Sequence, residues 1–586
     1  MNDIRSCQNC KQDFSLSQDE KTFYIKIKVP EPTFCPACRF QRRVAVRNER
    51  TLYKRKCGLC GNLMLAMYGP EKPFPVYCKD CWWSDKWDPT AYELAYDWEK
   101  PFFVQFRSLL EKVPRPNLIT QNAPNSDYSN YVVDVKNCYL CFGTIESEDC
   151  MYGAPYESKH CVDTYLAREC EYCYECLDCE KLSSSLFAQD SSASLNLLHC
   201  FDCKNCHDCI GCVGLRNKKY HIYNKEYQKE EFEKMQNEIF SRGREGFEEV
   251  RVEFEKLKLA IPHRFATTLK CERVSGDHIV QSKNAEHSFD IKKLEDATHC
   301  IRMIDGRDVH DTNYCEFMEL TYDYLGFLRD SNIRFSNTCG ECEDVQYSDF
   351  CQGSSHLFGC IGLRKKEHCI FNKEYEKQEY EEMVLKIEEQ MNSIPYKDAK
   401  GREYRYGEFF PIELSPLAYN ESVAQEFFPL SKEEAVSQGY SWRDPDDQGY
   451  DVAMQTSQIP NTIEETGSDI LNQVIGCEHA GTCNEKCTTA FKITSMELQF
   501  YQRMRIPIPT LCPNCRHYAR LGRRTPFQVW RRKCMCGGKA SDGGMYSNTS
   551  AHSHNEEHCA NEFDTSYAPE RDEVVYCEEC YNAEIV

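Results

Sequence analysis

Apolar residues recur at helical spacing in two places: Phe232, Met235 and Ile239, then, 148 residues later, Tyr380, Met383 and Ile387. Steps of three and four put these side chains on one face, which predicts an amphipathic helix in each stretch. Upstream of each helix the period is lost. Short segments rich in aromatic residues, Ser, Asn and Cys follow one another with little proline, and Cys138, Cys150, Cys161 and Cys173 recur every 11 or 12 residues. Short strands at that period fit a β-sandwich or a parallel β-solenoid, whose stacked coils align like side chains into ladders. Two solenoids are the favoured expectation. Gly211–Arg216 returns as Gly359–Arg364, and Asn224–Tyr227 as Asn372–Tyr375, at the same offset of 148. The middle of the chain is a tandem duplication.

Composition narrows the picture. Of 586 residues 39 are Cys, 28% are charged and 41% hydrophobic, which fits neither wholesale disorder nor a membrane protein. No run of about 18 uncharged apolar residues occurs, so no transmembrane helix is expected. The start, MNDIRSCQNC, lacks the apolar core of a secretory signal. An odd number of cysteines in so long a chain then points to thiolate chemistry in a reducing cytoplasm rather than to disulfides.

The N-terminal cysteines pair as Cys7 with Cys10, Cys35 with Cys38, Cys57 with Cys60 and Cys78 with Cys81, each separated by two residues. Two such turns supply four thiolates, a closed tetrahedral zinc site. Cys7, Cys10, Cys35 and Cys38 form one expected site, and Cys57, Cys60, Cys78 and Cys81 the other; a cross-braced pairing stays open. The C-terminus repeats the plan at an offset of 477. Cys10 matches Cys487, Phe23-Tyr24 matches Phe500-Tyr501, Cys35-Pro36 and Cys38-Arg39 match Cys512-Pro513 and Cys515-Arg516, and Arg55-Lys56-Cys57 matches Arg532-Lys533-Cys534. The ligands expected there are Cys483, Cys487, Cys512, Cys515, Cys534, Cys536, Cys577 and Cys580, with Cys477, His479, His558 and Cys559 as spare candidates. About four structural zinc ions per chain follow.

In both copies the C-P-x-C-R turn predicts the start of a helix, since proline suits the first helical turn. These helices and the residues after them are basic. Residues 35–57 carry +7, and so do residues 512–533, within a chain of net charge −22; the rest therefore carries −36. Two cationic patches on an acidic body suit phosphate binding. The candidate nucleic-acid contacts are Arg39, Arg42, Arg43, Arg47, Arg50 and Arg55 in one copy, and Arg516, Arg520, Arg523, Arg524, Arg531 and Arg532 in the other.

Three further features are ambiguous by sequence. Cys170, Cys173, Cys176 and Cys179 stand three apart, followed by five more from Cys200 to Cys212. The 148-residue shift sets Met318, Thr321, Tyr324 and Phe327 opposite the first four, so core packing is preferred over metal ligation. Trp82, Trp83, Trp87 and Trp98 are expected to cap a core, at the open end of the first repeat. Residues 396–475, with Arg443-Asp444-Pro445-Asp446-Asp447, read as an acidic, extended linker in which Phe409-Phe410-Pro411 and Phe427-Phe428-Pro429 dock locally.

With these residues in view, the chain resembles an uncharacterised group of bacterial zinc-ribbon proteins frequent in candidate-phyla genomes. The shared motifs stand at Phe34–Cys57, Trp82–Pro89, Gly211–Lys218 and Gly359–Lys366. The resemblance implies zinc binding as structural support, and no activity.

The expected architecture is mainly β with short α: treble-clef or zinc-ribbon modules at both ends flanking two Cys-rich β-solenoid-like repeats, each followed by an amphipathic helix. Its segments are a double zinc module (1–90), a connecting helix (91–120), the two repeats with their helices (121–260 and 261–395), the linker (396–475) and the C-terminal zinc module (476–586). The leading functional expectation is a non-catalytic protein that binds the backbone of RNA or single-stranded DNA through two basic zinc-stabilised heads. A protein-interaction scaffold meeting an acidic partner is the alternative, and neither involves a membrane. A metal-dependent enzyme ranks last, because closed all-cysteine sites leave no open coordination position and no H-E-x-x-H, G-x-S-x-G or P-loop occurs.

Overall fold

The computed structural model describes residues 3–444 and 449–586. The chain is mostly β with some helix and divides into two compact units. The first comprises Met1–Leu118, Ala266–Asp444 and Pro526–Val529; the second comprises Ile119–Phe265, Pro445–Thr525 and Trp530–Val586. The N-terminal cysteine module thus belongs with the second repeat, and the C-terminal module with the first.

Each unit is built on one long sheet in which consecutive strands are neighbours. In the second unit ten strands run in order from Thr120–Gln121 to Lys225–Glu226, and in the first unit nine run from Thr268–Leu269 to Lys373–Glu374. Pairing is parallel until the closing hairpin. Leu197 pairs with Cys209 and Cys209 with His221; Val345 pairs with Leu357 and Leu357 with Cys369. Each step advances 12 residues, the period seen in the sequence.

The backbone explains the composition. A left-handed φ near 50° recurs every third residue, as at Asp134, Asn137 and Leu140. Such a residue costs roughly 1 kcal/mol unless it is Gly, Asn or Asp, whose short polar side chains bond locally. Here the Asn and Asp side chains also bond from rung to rung: Asn137 Nδ2 donates to Asp149 at 3.0 Å, Asn196 to Asp208 at 2.9 Å and Asn284 to Asp296 at 2.7 Å. Rings stack at the same step, Phe187 on His199 at 4.5 Å and His356 on His368 at 4.9 Å. The residue after a left-handed turn is buried in most coils, and in the first repeat it is usually Cys, Ser or Ala.

The repeated Cys170–Cys179 thiols take these inner positions and donate to carbonyls. Cys176 Sγ lies 3.6 Å from Tyr174 O and 3.4 Å from Ser185 O, and Cys179 Sγ 3.2 Å from Leu177 O. Their counterparts Met318, Thr321 and Tyr324 are buried too. Cysteine serves here as a small apolar filler with a weak donor.

One of these inner positions in the first unit holds a carboxyl. Asp330 is buried, accepting from Tyr324 Oη at 2.7 Å and from Cys342 N at 2.8 Å, and burial pushes its carboxyl up to about 7. An unfolded aspartate titrates near 3.9, so between about pH 4 and 7 the folded state holds a proton the unfolded state has lost. Stability therefore falls as pH rises through that window. Asp330→Asn keeps an acceptor for Cys342 N and offers an amide to Tyr324 without charge. Its urea midpoint should exceed that of the wild type at pH 8 and match it near pH 4; parallel pH curves for the two proteins would refute the assignment.

The helices close the sheets. Lys377–Ser393 buries Tyr380 and Ile387, as the spacing predicts. The first repeat carries two helices, Lys229–Ser241 and Gly243–Ala260, where one was expected. The break falls at Gly243, with φ of 54° and Asn461 O where a Cβ would stand.

The two G-C-x-G-L-R motifs find a shared explanation. Gly214 and Gly362 have φ of 70°, and a Cβ there would meet Ile585 and Trp82 respectively. Arg216 reaches Tyr581 Oη at 3.1 Å, while Arg364 lies over the rings of Trp82, Trp83 and Trp87 and bonds Trp82 O. Trp82 and Tyr581 each follow the last cysteine of a metal module. The tryptophan cluster thus caps the second repeat, not the first.

The described residues of the 396–475 segment do not form one extended linker. Residues 396–444 carry short helical turns and bury Tyr404, Phe409, Phe410, Tyr419 and Ala424 in the first unit. Phe409 and Phe410 dock as expected, and Phe427 and Phe428 pack half-buried beside Phe40. Pro445, Asp446 and Asp447 lie outside the described residues. Among the described residues, no helix is long and apolar enough to cross a membrane.

Candidate metal centres

Among the described residues, cysteines gather in groups of four whose sulfurs lie within 4.8 Å of one another, by one recurring local design. The first cysteine leaves a strand, the second returns to the antiparallel partner strand, and the last two open a helix. In the first group these elements are Asp3–Ser6, Asp13–Leu16 and Pro36–Val44. In the second they are Tyr53–Lys56, Leu63–Ala66 and Lys79–Trp82. The third cysteine is always the helix N-cap, in extended conformation: Cys35, Cys78, Cys512 and Cys577. Its own N–H donates back to the first sulfur, at 3.2 Å from Cys7, 3.3 Å from Cys57, 3.2 Å from Cys477 and 3.2 Å from Cys534.

These bonds and the helix N-termini favour thiolate over thiol. Burial works against charge on Cys57, yet the amides of Cys60, Cys78 and Leu59 bring it down to about 6. Cys577 falls to about 4, chiefly through the neighbouring Cys534. Sulfur–sulfur separations are 3.7 Å for Cys10–Cys35, 3.9 Å for Cys60–Cys78, 3.5 Å for Cys512–Cys515 and 3.9 Å for Cys559–Cys577. A tetrahedron with metal–sulfur bonds of ~2.3 Å has edges of ~3.8 Å. The groups fit a structural divalent ion.

At the N-terminus the sequential pairing holds: Cys7, Cys10, Cys35 and Cys38 in one group, Cys57, Cys60, Cys78 and Cys81 in the other. At the C-terminus two of the grouped cysteines differ from those expected. The third group is Cys477, Cys487, Cys512 and Cys515, so Cys477 takes the place expected for Cys483, whose sulfur still lies 3.7 Å from that of Cys515. The fourth is Cys534, Cys559, Cys577 and Cys580, with Cys559 in place of Cys536. Both substitutes could be read from their neighbours. Cys477 follows the strand Ile475–Gly476 as Cys7 follows Asp3–Ser6, and Cys559-Ala-Asn561 mirrors Cys60-Gly-Asn62, each Asn carbonyl accepting from the first cysteine's N–H. Longer loops had broken the constant offset. His479 and His558 turn instead to Glu485, at 3.1 Å, and Asp542, at 3.0 Å.

The arginines depart furthest from expectation. Arg39, Arg42, Arg43 and Arg47 are buried, Arg39 at 0% exposure, and each has a carboxylate. Arg39 meets Asp311 at 2.7 Å, Arg43 bridges Asp311 at 3.0 Å and Asp323 at 2.6 Å, Arg42 meets Glu408 at 3.2 Å, and Arg47 meets Glu49 at 2.7 Å. The second unit repeats the scheme. Arg516 meets Asp163 at 2.8 Å, Arg520 bridges Asp163 at 2.9 Å and Glu175 at 2.5 Å, Arg523 meets Glu175 at 3.0 Å, and Arg524 meets Asp178 at 2.7 Å. Asp163 and Asp311, like Glu175 and Asp323, are 148 residues apart; Arg39 and Arg516, like Arg43 and Arg520, are 477 apart. Two duplications meet in one lock, made twice.

An exposed phosphate-binding face on these helices is thereby corrected: a phosphate would have to replace carboxylates inside the protein. Arg50 is half-buried, while Arg55 and Arg532 donate to the carbonyls of Gly69 and Ala568 at 2.8 and 3.1 Å. Arg531 alone of the twelve is mostly exposed, its side chain at 61%, beside Glu562 and Asp564.

No family model matches this chain, and no curated protein does. Among solved structures, one from Desulfovibrio desulfuricans G20, described provisionally as an acetyltransferase, is 8% identical, covering 48% of this chain and 84% of that one at a TM-score of 0.10. A likeness that weak carries no argument.

Proposed function

We propose that the chain is a non-catalytic interaction scaffold held in shape by structural zinc. In this reading the four cysteine groups are treble-clef or zinc-ribbon modules and the two repeats are β-solenoids. The modules' task is to set arginine helices against the repeats. The observation that carries it is the burial of the same arginine–aspartate lock in both units, which uses the chain's concentrated positive charge internally. What remains for a partner is an acidic exterior presented by long, repetitive sheets, suited to a protein with a basic surface.

The nucleic-acid reading is the competing outcome. Anisotropy of labelled RNA and single-stranded DNA should show no binding even at low salt, whereas a pull-down should keep its protein partners after nuclease treatment and release them at high salt. Salt-dependent RNA binding, with a slope reporting several phosphates, would overturn the scaffold reading.

A further inference from the structure

The loop that displaced Cys559 from Cys534 does more than lengthen the hairpin. In the N-terminal equivalent two residues separate Cys57 from Cys60; here residues 535–558 intervene. That insertion carries Cys536, His552 and His554, and folds them back onto Cys580. The ligand atoms of Cys536, His552, His554 and Cys580 lie within 4.8 Å of one another. His554 Nε2 is 3.3 Å from Cys580 Sγ, and His552 Nδ1 is 3.8 Å from Cys536 Sγ. Cys580 belongs to this group and to the four-cysteine group as well.

The surroundings are those of metal ligands rather than of packed side chains. A ligating histidine has its other ring nitrogen bonded to a carboxylate or carbonyl, which fixes tautomer and orientation. His552 Nε2 lies 2.8 Å from Glu584 Oε1, both side chains fully buried, and His554 Nδ1 lies 2.6 Å from Glu557 O. Glu584 is itself held by the amides of Thr549 and Ser550, at 2.8 and 3.1 Å. Asn548 Nδ2 donates to Cys536 Sγ at 3.2 Å, the kind of bond that steadies a thiolate. The two rings present opposite nitrogens, Nδ1 and Nε2, to one point.

We propose that this C-terminal module binds two zinc ions, the second held by Cys536, His552, His554 and Cys580, with the Cys580 thiolate bridging both. The proposal rests on the reading of Cys534, Cys559, Cys577 and Cys580 as a zinc site. All four positions of the second ion are filled by protein, so its role is to staple the 535–558 insertion to the Glu578–Ile585 helix. Two histidines and two cysteines of this geometry suit zinc, or cobalt as its spectroscopic substitute.

Metal analysis of the full chain, purified without chelator, separates the outcomes. Five zinc ions per chain are expected, four in a His552→Ala/His554→Ala variant of unchanged circular dichroism, and four in Cys536→Ala. His554→Gln, at the more exposed ligand, gives a second variant should the double one fold poorly. Zinc X-ray absorption of the wild type should also contain imidazole scattering, which four all-sulfur sites cannot produce. A content unaffected by the histidine changes, together with absorption free of imidazole, would overturn the second ion while leaving the four-thiolate sites intact. A zinc content unchanged in Cys7→Ser and in Cys57→Ser, with imidazole scattering retained, would strike the broader zinc reading at the N-terminal groups and spare this one.

Discussion

Asp311→Ala should destabilise the first unit by about 3–5 kcal/mol, and Asp163→Ala the second by a similar amount. Each carboxylate neutralises two guanidinium groups that have no route to solvent. Without Asp311, Arg43 keeps Asp323, but Arg39 is left with Phe34 O, 2.8 Å away, as its recorded partner. The large cost comes from stranding a charge, not from the net strength of the pair, so Arg39→Met combined with Asp311→Ala should cost much less than the sum of the single changes. Urea unfolding of the full chain, read by hydrogen exchange within residues 266–334, localises the loss to its unit. The pair also sets an acid limit. Burial pushes the Asp311 carboxyl up, yet Arg39 and Arg43 overcome it and hold the group well below the usual aspartate range. Its contribution is therefore present above about pH 4 and lost as pH falls further. If Asp311→Ala cost less than about 1 kcal/mol, the lock would be no stronger than a surface ion pair, and the arginines would again be available to a phosphate.

How far the sequence carried depended on whether partners lie close along the chain. The cysteine pairs, the proline-led helices and both offsets were legible because each is a local pattern. The lock was not, since Arg39 finds Asp311 across 272 residues and the charge pattern alone does not say which acid neutralises which base. A +7 stretch in an acidic chain reads as a surface patch; here the countercharges lie among the buried positions of the repeats. One trace of this was present: Asp163 and Asp311 are equivalent by one duplication and Arg39 and Arg516 by the other, as paired contacts require. The 396–475 segment misled for a related reason. Its acids and prolines suggest solvent, yet Phe409, Tyr419 and Ala424 anchor it in a core, and Glu408 and Glu421 are buried with partners in Arg42 and Lys72.

Two cysteine-to-serine changes should then separate the metal-bound sulfurs from the packed ones. Cys38→Ser removes one of four ligands and should lower the zinc content by one. It should also destabilise the N-terminal module by several kcal/mol, a large part of the ~10–16 kcal/mol that structural zinc contributes at neutral pH. The Pro36–Val44 helix would lose the anchor of its first turn, and with it the placement of Arg39 and Arg43. Cys176→Ser, in the repeat, should cost no more than about 1–1.5 kcal/mol and leave the metal content unchanged. Serine already occupies the same inner position at Ser185, Ser191 and Ser194, donating to the carbonyl two residues back at 2.9, 3.0 and 2.8 Å as Cys176 does through sulfur. A strong chelator should divide the molecule the same way, unfolding the modules first while the parallel sheets keep their β circular dichroism. Equal losses from the two serine variants, in metal or in stability, would mean that the repeat cysteines are ligands after all and that the ladder is held by ions rather than by packing.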